Sequence, residues 1–287
     1  MTNKLLILAG GKSSRMKNSA VAAGLTKKEI EAANQKTKGM IEVNNRPFMD
    51  YILYNAKNAG IQDVIILTGE NSSDIRNFYG QKDRENHFNG MTISYAVQFI
   101  PDGREKPFGT ADAVYQAMEQ IRDLQNEPFL VCNCDNLYSE NAFRDMVQLE
   151  TPNGWVNYDR NGLEFPIEKI EAFAITHTDK NGYLIDIIEK PTPEDVARFM
   201  DEEGVVRVSM NIFKFDGKLF FQYVKECPVN PKRNEKELQT AILNMVHENP
   251  GSMRGIPRKE HVPDLTSKED ILKVTEYLQI NKIELNW

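Results

Sequence analysis

The chain has 287 residues, 40% of them hydrophobic and 27% charged, enough to bury a full core as one large domain or two closely packed lobes. A formal net charge of -7 excludes the broad basic surface that nucleic acid or anionic membrane requires, yet a local Lys/Arg pocket can still take an anionic small ligand. The three cysteines, Cys132, Cys134 and Cys227, are an odd set unlike a secreted disulfide framework, and no stretch approaches the ~20 apolar residues of a membrane span. A protein of the reducing cytoplasm is the expectation, because the opening apolar run is also too short for a signal peptide.

That run, Lys4–Leu8, reads as a buried strand and leads straight into Leu8-Ala9-Gly10-Gly11-Lys12-Ser13-Ser14-Arg15. Backbone N–H groups bare of Cβ atoms can approach phosphate oxygens there, with Lys12 and Arg15 adding positive charge; a tight structural turn is the plainer reading. Neither standard phosphate motif is met: a P-loop would need glycine where Leu6 stands, and G-x-G-x-x-G is absent. Lys17–Thr37 is polar, with a helical patch at Lys27–Ala33, and reads as an insertion or mobile flap.

Next come a helix over Pro47–Ala59 ended by Gly60, strands over Asp63–Leu67 and Thr92–Gln98, a helix over Thr110–Leu124, a strand over Phe129–Asp135 and a helix over Ser139–Leu149. Such alternation implies crossover connections and an α/β fold with a mostly parallel sheet carrying helices on both faces. Asp135, at a strand end, is a candidate Mg²⁺ ligand or a cap for the segment after it. Gly109-Thr110-Ala111-Asp112 suits close approach of a base or phosphate to the backbone, or ordinary helix initiation. Cys132 and Cys134 share one strand face with no histidine near, so a zinc site is not expected.

The second half reads as a mixed, partly antiparallel lobe. Apolar runs at Ile170–Thr176, Tyr183–Ile188 and Val205–Phe215 are separated by the turn Asp179-Lys180-Asn181-Gly182 and a charged helical stretch, Pro193–Glu203. Glu189-Lys190-Pro191 closes one run with an acid and a base, able to bind sugar hydroxyls and a phosphate, although charged strand ends before proline are commonplace. Helices follow at Asn234–His247 and Ser267–Leu278, the latter opened by Ser267-Lys268-Glu269-Asp270 with capping-box spacing. Asp264, just before it, is a second candidate metal carboxylate or a turn residue. The four histidines, His87, His177, His247 and His261, lack ligand spacing and take surface or structural roles. Without a linker or repeat, the chain reads as one domain with lobes at 1–150 and 151–287.

Taken in order, Leu8-Ala9-Gly10-Gly11 with Arg15-Met16, the segment Lys38–Pro47, Gln98 with Pro101-Asp102-Gly103, Gly109–Val114, Asp135, Glu189-Lys190-Pro191, Ser209–Phe213 and Asp264 resemble the sugar-1-phosphate nucleotidylyltransferases over nearly the whole chain. The resemblance implies a Rossmann-like fold with a sugar-binding sub-lobe. It also implies an enzyme that joins a nucleoside triphosphate to a sugar 1-phosphate and releases pyrophosphate, by Mg²⁺-assisted in-line attack on the α-phosphorus. It assigns Ala9, Gly10, Gly11 and Arg15 to the triphosphate, Lys38 to the phosphates, Gln98, Gly109, Thr110 and Asp112 to the nucleotide, and Asp135 with Asp264 to Mg²⁺. Glu189 is assigned to sugar hydroxyls, Lys190 to the sugar phosphate, and Ser209 and Asn211 to the sugar pocket. Arg15 and Lys38 are the expected catalytic pair.

The chain departs from the family pattern in four places. Ser13 stands where the family has glycine, which brings the first loop closer to the molybdenum-cofactor guanylyltransferase branch. Gly39 replaces the usual proline, Leu265-Thr266 replace a Gly-Thr pair, and Lys17–Thr37 is long. A non-sugar acceptor such as phosphocholine or a cofactor phosphate is the alternative, as is a nucleotide-sugar-binding protein without catalysis. Gln98 carries a donor and an acceptor and can pair with several bases, with a lean to uridine or thymidine. A homo-oligomer is compatible with the sequence.

Overall fold

Leu5, Leu6 and Ile7 are wholly buried because the strand they form is covered on both faces, which is why the run lacks polar alternation. The computed structural model describes residues 2–201 and 203–287. In chain order its elements are β1 (Lys4–Ala9), α1 (Ser14–Asn18), α2 (Lys27–Gln35), a 3₁₀ turn (Lys38–Met40), β2 (Glu42–Val43), β3 (Arg46–Pro47), α3 (Phe48–Asn58), β4 (Asp63–Gly69), α4 (Ser73–Tyr79), β5 (Asn86–Phe88), β6 (Met91–Gln98), α5 (Thr110–Gln120), β7 (Pro128–Asn133) and α6 (Glu140–Gln148). The second half adds β8 (Asn153–Asp159), α7 (Ile167–Glu171), β9 (Ile175–Thr178), β10 (Leu184–Ile188), α8 (Pro193–Phe199), β11 (Arg207–Asp216), α9 (Gly217–Lys225), α10 (Leu238–Glu248), β12 (Met253–Arg258) and α11 (Lys268–Ile280).

One ten-stranded sheet runs through both halves, in the order β10-β9-β11-β7-β1-β4-β6-β5, with β8 joined to β11 and β12 to β8. The centre is parallel, since β1 pairs in parallel with both β4 and β7, and β4 with β6. β11 runs antiparallel to β7 and stitches the second half to the first. The expected α/β fold with a mixed sub-lobe is therefore what forms. Alternate side chains feed two apolar layers: Leu5, Ile7, Leu130 and Cys132 face one set of helices, and Leu6, Phe129 and Val131 face the other. All three cysteines are free and buried, and no described helix is long and apolar enough to cross a membrane.

Several segments differ from expectation. The run Ile170–Thr176 is split, because α7 takes its first part and β9 begins only at Ile175. The stretch Pro193–Glu203 is helical through Phe199, and Glu202 within it lies outside the described residues. Between Lys17 and Thr37 stands α2, opened by a reciprocal Thr26/Glu29 capping box and anchored by the buried Ala33. Lys28 and Lys36 converge on Glu42 at 2.7 and 3.1 Å and fasten this arm to the β2–β3 ribbon.

Candidate functional site

The sequence order β1, β4, β6 proceeds across the sheet in one direction, whereas β7 returns to the other side of β1. At such a reversal the loops leaving adjacent strand ends diverge and open a crevice. A cleft of about 480 Å³ lies there, lined by Ala9, Gly10, Gly11, Arg15, Lys38, Gln98, Gly109, Thr110 and Asp135. The structure thus brings together most residues singled out for nucleotide binding. A Cβ built on Gly11 would meet nothing within 4 Å, so its backbone is open to the cleft. Ser13 holds the left-handed conformation, at φ 55°, which the family's glycine would adopt without strain. Lys12 is diverted: its ammonium donates to the Glu105 carbonyl and straps the first loop to the loop after β6.

Lys38 and Asp135 meet. A Cβ built on Gly39 would stand 3.3 Å from the Cβ atoms of both Cys134 and Met49, so the glycine lets the 3₁₀ turn sit close against the end of β7 where a proline would be crowded. From that turn the largely buried Lys38 ammonium reaches Asp135 Oδ2 at 2.7 Å. Asp74 accepts from the Thr37 amide at 2.9 Å and holds the residue before Lys38.

Asp264 arrives beside Asp135 through main-chain pairing: it bridges Asn136, and the Leu265 amide donates to the Asp135 carbonyl at 2.8 Å. Its carboxylate accepts from Thr266 at 2.8 Å and from Lys169 at 2.9 Å. Among the described residues no group of three or more His, Cys, Asp or Glu is arranged to hold a metal. Two carboxylates on adjacent backbone segments nonetheless fit Mg²⁺, which is commonly held by one or two carboxylates together with substrate phosphates. Each carboxylate already has a lysine partner, so a cation competes with Lys38 and Lys169 for them.

Gln98, at the end of β6, is nearly buried. Its Nε2 donates to the Gly109 carbonyl at 3.0 Å and to Asp112 Oδ2 at 3.1 Å. Asp112 therefore supports Gln98 from behind the cleft. Gly109 sits at φ 104°, and a Cβ there would fall 2.3 Å from the Lys236 carbonyl, because the Phe108–Ala111 backbone pairs with Lys236 in both directions. The Thr110 hydroxyl accepts from the Leu238 amide at 2.9 Å, which ties the start of α5 to that of α10.

The residues assigned to sugar lie apart: the lining of this cleft does not include Glu189, Lys190, Ser209 or Asn211, nor does it include Asp264, the second expected metal carboxylate. Ser209 borders the irregularity in β11 and Asn211 lies within it, where it takes φ 61° and accepts from Gln239 at 3.1 Å. Glu189 and Lys190 follow β10, with Lys190 at φ 52°. Burial pushes the Glu189 carboxyl up, against the pull of Arg233 at 3.7 Å, and Arg233 also grips Glu237 at 2.6 Å. Arg233 and the cleft residues Lys106 and Glu235 escaped sequence reasoning, since isolated charges in loops carry no pattern.

The sequence profile of the family described as Nucleotidyl transferase matches residues 4–279. The chain is 26% identical over 238 residues to a glucose-1-phosphate adenylyltransferase of Bradyrhizobium diazoefficiens, covering 79% of this chain and 51% of that one. It is 22% identical over 284 residues to the bifunctional protein GlmU of Staphylococcus saprophyticus, covering 99% of this chain and 52% of that one. The chain thus spans about half the length of these two relatives. Its fold matches a solved UDP-glucose pyrophosphorylase complexed with UDP-glucose at a TM-score of 0.71 and 16% identity, covering 98% of this chain and 100% of that one. With a profile that spans β1 to α11 and a cleft at the switch of strand order, the chain belongs to the nucleotidyl transferase family.

Proposed function

We propose that the protein joins a nucleoside triphosphate to a sugar 1-phosphate, giving a nucleoside diphosphate sugar and pyrophosphate, within a single domain of two lobes. The observation that carries this reading is the convergence of Gly10, the open backbone of Gly11, Arg15, Lys38 and Asp135 on one cleft at the sheet's carboxyl edge. The names of the relatives, glucose-1-phosphate adenylyltransferase and UDP-glucose pyrophosphorylase, support sugar phosphate as the acceptor. A sugar-phosphate oxygen is already nucleophilic at neutral pH and needs no general base. It attacks the α-phosphorus as the bond to the bridging oxygen breaks, and pyrophosphate leaves with that electron pair.

What the site must supply is alignment of two polyanions and neutralisation of charge. Arg15 and Lys38 face the triphosphate and stabilise charge on the departing pyrophosphate. Asp135 and Asp264 would hold Mg²⁺, which supplies charge neutralisation at the reacting phosphates. Glu189, Lys190, Ser209 and Asn211 orient the sugar phosphate, reaching it from β10 and β11 beyond the nucleotide cleft. Pyrophosphate release, screened with every NTP and dTTP against a panel of sugar 1-phosphates with Mg²⁺, tests the reading. Turnover with sugar phosphates is expected. Turnover confined to phosphocholine would move the acceptor to another class, and nucleotide binding without any release would make the protein a sensor.

A further inference from the structure

The orientation of the Gln98 amide is fixed by chemistry. Phe99 presents its backbone N–H to Gln116 Oε1 at 2.9 Å and its carbonyl to Gln116 Nε2 at 3.0 Å, so the Gln116 amide can stand only one way round. Gln116 Nε2 then donates to Asp112 Oδ2 at 2.9 Å, and the same oxygen accepts from Gln98 Nε2 at 3.1 Å. The second Gln98 N–H goes to the Gly109 carbonyl at 3.0 Å. Turning Gln98 over would set its oxygen against a carboxylate and a carbonyl at once, both acceptors without a proton to give. Gln98 Oε1 consequently lies over Gly10, 3.0 Å from where a Cβ would stand, at the floor of the cleft.

We infer that Asp112 determines base specificity: together with the Gly109 carbonyl it consumes the donor end of Gln98, so that Gln98 offers a base one fixed acceptor and no N–H. A freely turning glutamine pairs two-fold with the imide edge of uracil or thymine, accepting from N3–H and donating to O4. With both N–H bonds engaged, that carbonyl is left without a partner beside the acceptor. An exocyclic amino group instead projects two donors and reaches a single acceptor without such a loss. The cleft therefore selects adenine, cytosine or guanine nucleotides over uridine and thymidine nucleotides, opposite to the lean of the sequence reading. The inference rests on the nucleotide-binding role proposed for this cleft.

Equilibrium affinities of the full chain for ATP, CTP, GTP, UTP, dTTP and inorganic tripolyphosphate, measured by titration calorimetry, test it. An amino-bearing nucleotide is expected to bind roughly tenfold more tightly than UTP or dTTP, the scale of one hydrogen bond plus one unpaired acceptor. Asp112→Leu, which has no acceptor, should bring that ratio within about threefold, while Asp112→Asn, which keeps an oxygen for both glutamines, should hold it. Tripolyphosphate, which has no base, reports folding and the phosphate half of the cleft. If Asp112→Leu does not bind it, Gln98→Leu carries the test, with the same loss of preference expected. Equal or tighter binding of UTP or dTTP by the wild type, or an unchanged ratio in the leucine variant, overturns the inference while leaving the nucleotide reading in place. No nucleotide binding more tightly than tripolyphosphate sinks both.

Discussion

Lys38 and Asp135 neutralise each other at 2.7 Å, which lets a cleft built for polyanions keep a carboxylate in its wall. In the proposed reaction Lys38 would turn to the entering phosphates and Asp135 to the cation, so neither would be left without a counter-charge. Asp135→Asn should retain less than about a tenth of wild-type turnover at saturating Mg²⁺, a loss of roughly 2–4 kcal/mol similar to that of other charge-stabilising groups. Steady-state pyrophosphate release reads this, and turnover above a tenth would remove Asp135 from the metal. Asp135 was visible in the sequence because it ends a recognisable strand, and Lys38 was singled out only by the family resemblance. Their contact was not visible, since 97 positions separate them and it depends on the 3₁₀ turn of Lys38–Met40 lying against Cys134 at the end of β7. Arg233 lay beyond reach for a related reason: its partners Glu189 and Glu237 come from different elements.

Helix α1 carries Arg15 into the cleft, yet with five residues it is too short to be stable alone. Its carbonyl end is held from the far end of the chain. The buried Lys268, first residue of α11, donates to the Met16, Lys17 and Ser19 carbonyls at 3.1, 2.8 and 2.8 Å, and its amide donates to Ser19 Oγ at 3.0 Å. A cation against exposed carbonyls at a helix C-terminus complements both the unpaired acceptors and the local dipole. Lys268→Met leaves those carbonyls without donors, so a loss of about 2 kcal/mol and a melting temperature lower by roughly 5 °C are expected. The kcat for pyrophosphate release should fall along with any rise in the nucleotide KM, and an unchanged kcat would show that Lys268 does not position Arg15. The capping box of α11 was legible from Ser267 and Asp270, which lie three residues apart, but the lysine between them gave no local sign of its target. β8 was illegible for the opposite reason. Its Asn153, Asn157 and Asp159 look like loop residues, yet they are buried, with Asn153 accepting from the Asp216 amide at 2.7 Å and Asn157 accepting from Thr176 at 2.6 Å.

Across the whole molecule, alternation of strands and helices foretold the parallel centre, because crossover connections leave few other arrangements. It could not foretell how the second half attaches, which depends on β11 pairing with β7 through Ile212–Asp216 and with β8 on its other side. The same non-local assembly encloses His261, which the sequence placed only as a surface or structural residue. Its ring meets Phe165 at 4.7 Å and Tyr277 of α11 at 5.5 Å, and Nδ1 accepts from the Glu164 amide at 3.1 Å, so the neutral form is the one that fits. Burial accordingly holds its pKa below the ordinary 6.5. The unfolded chain takes up this proton more readily than the folded one. The stability contributed by His261 is therefore complete above pH 6.5 and declines as pH falls toward the lowered folded value. Buried Asp50 and half-buried Glu260, whose carboxyl pKa values desolvation raises, act with the opposite sign and gain stability toward their own acid range. A bare melting curve against pH would mix the two, so the histidine is isolated by difference. Between about pH 7.5 and about pH 5, the melting temperature of the wild type should fall relative to that of His261→Phe, whose ring can keep the contacts with Phe165 and Tyr277 but cannot take a proton. Parallel profiles would mean that His261 is accommodated equally well in its charged form.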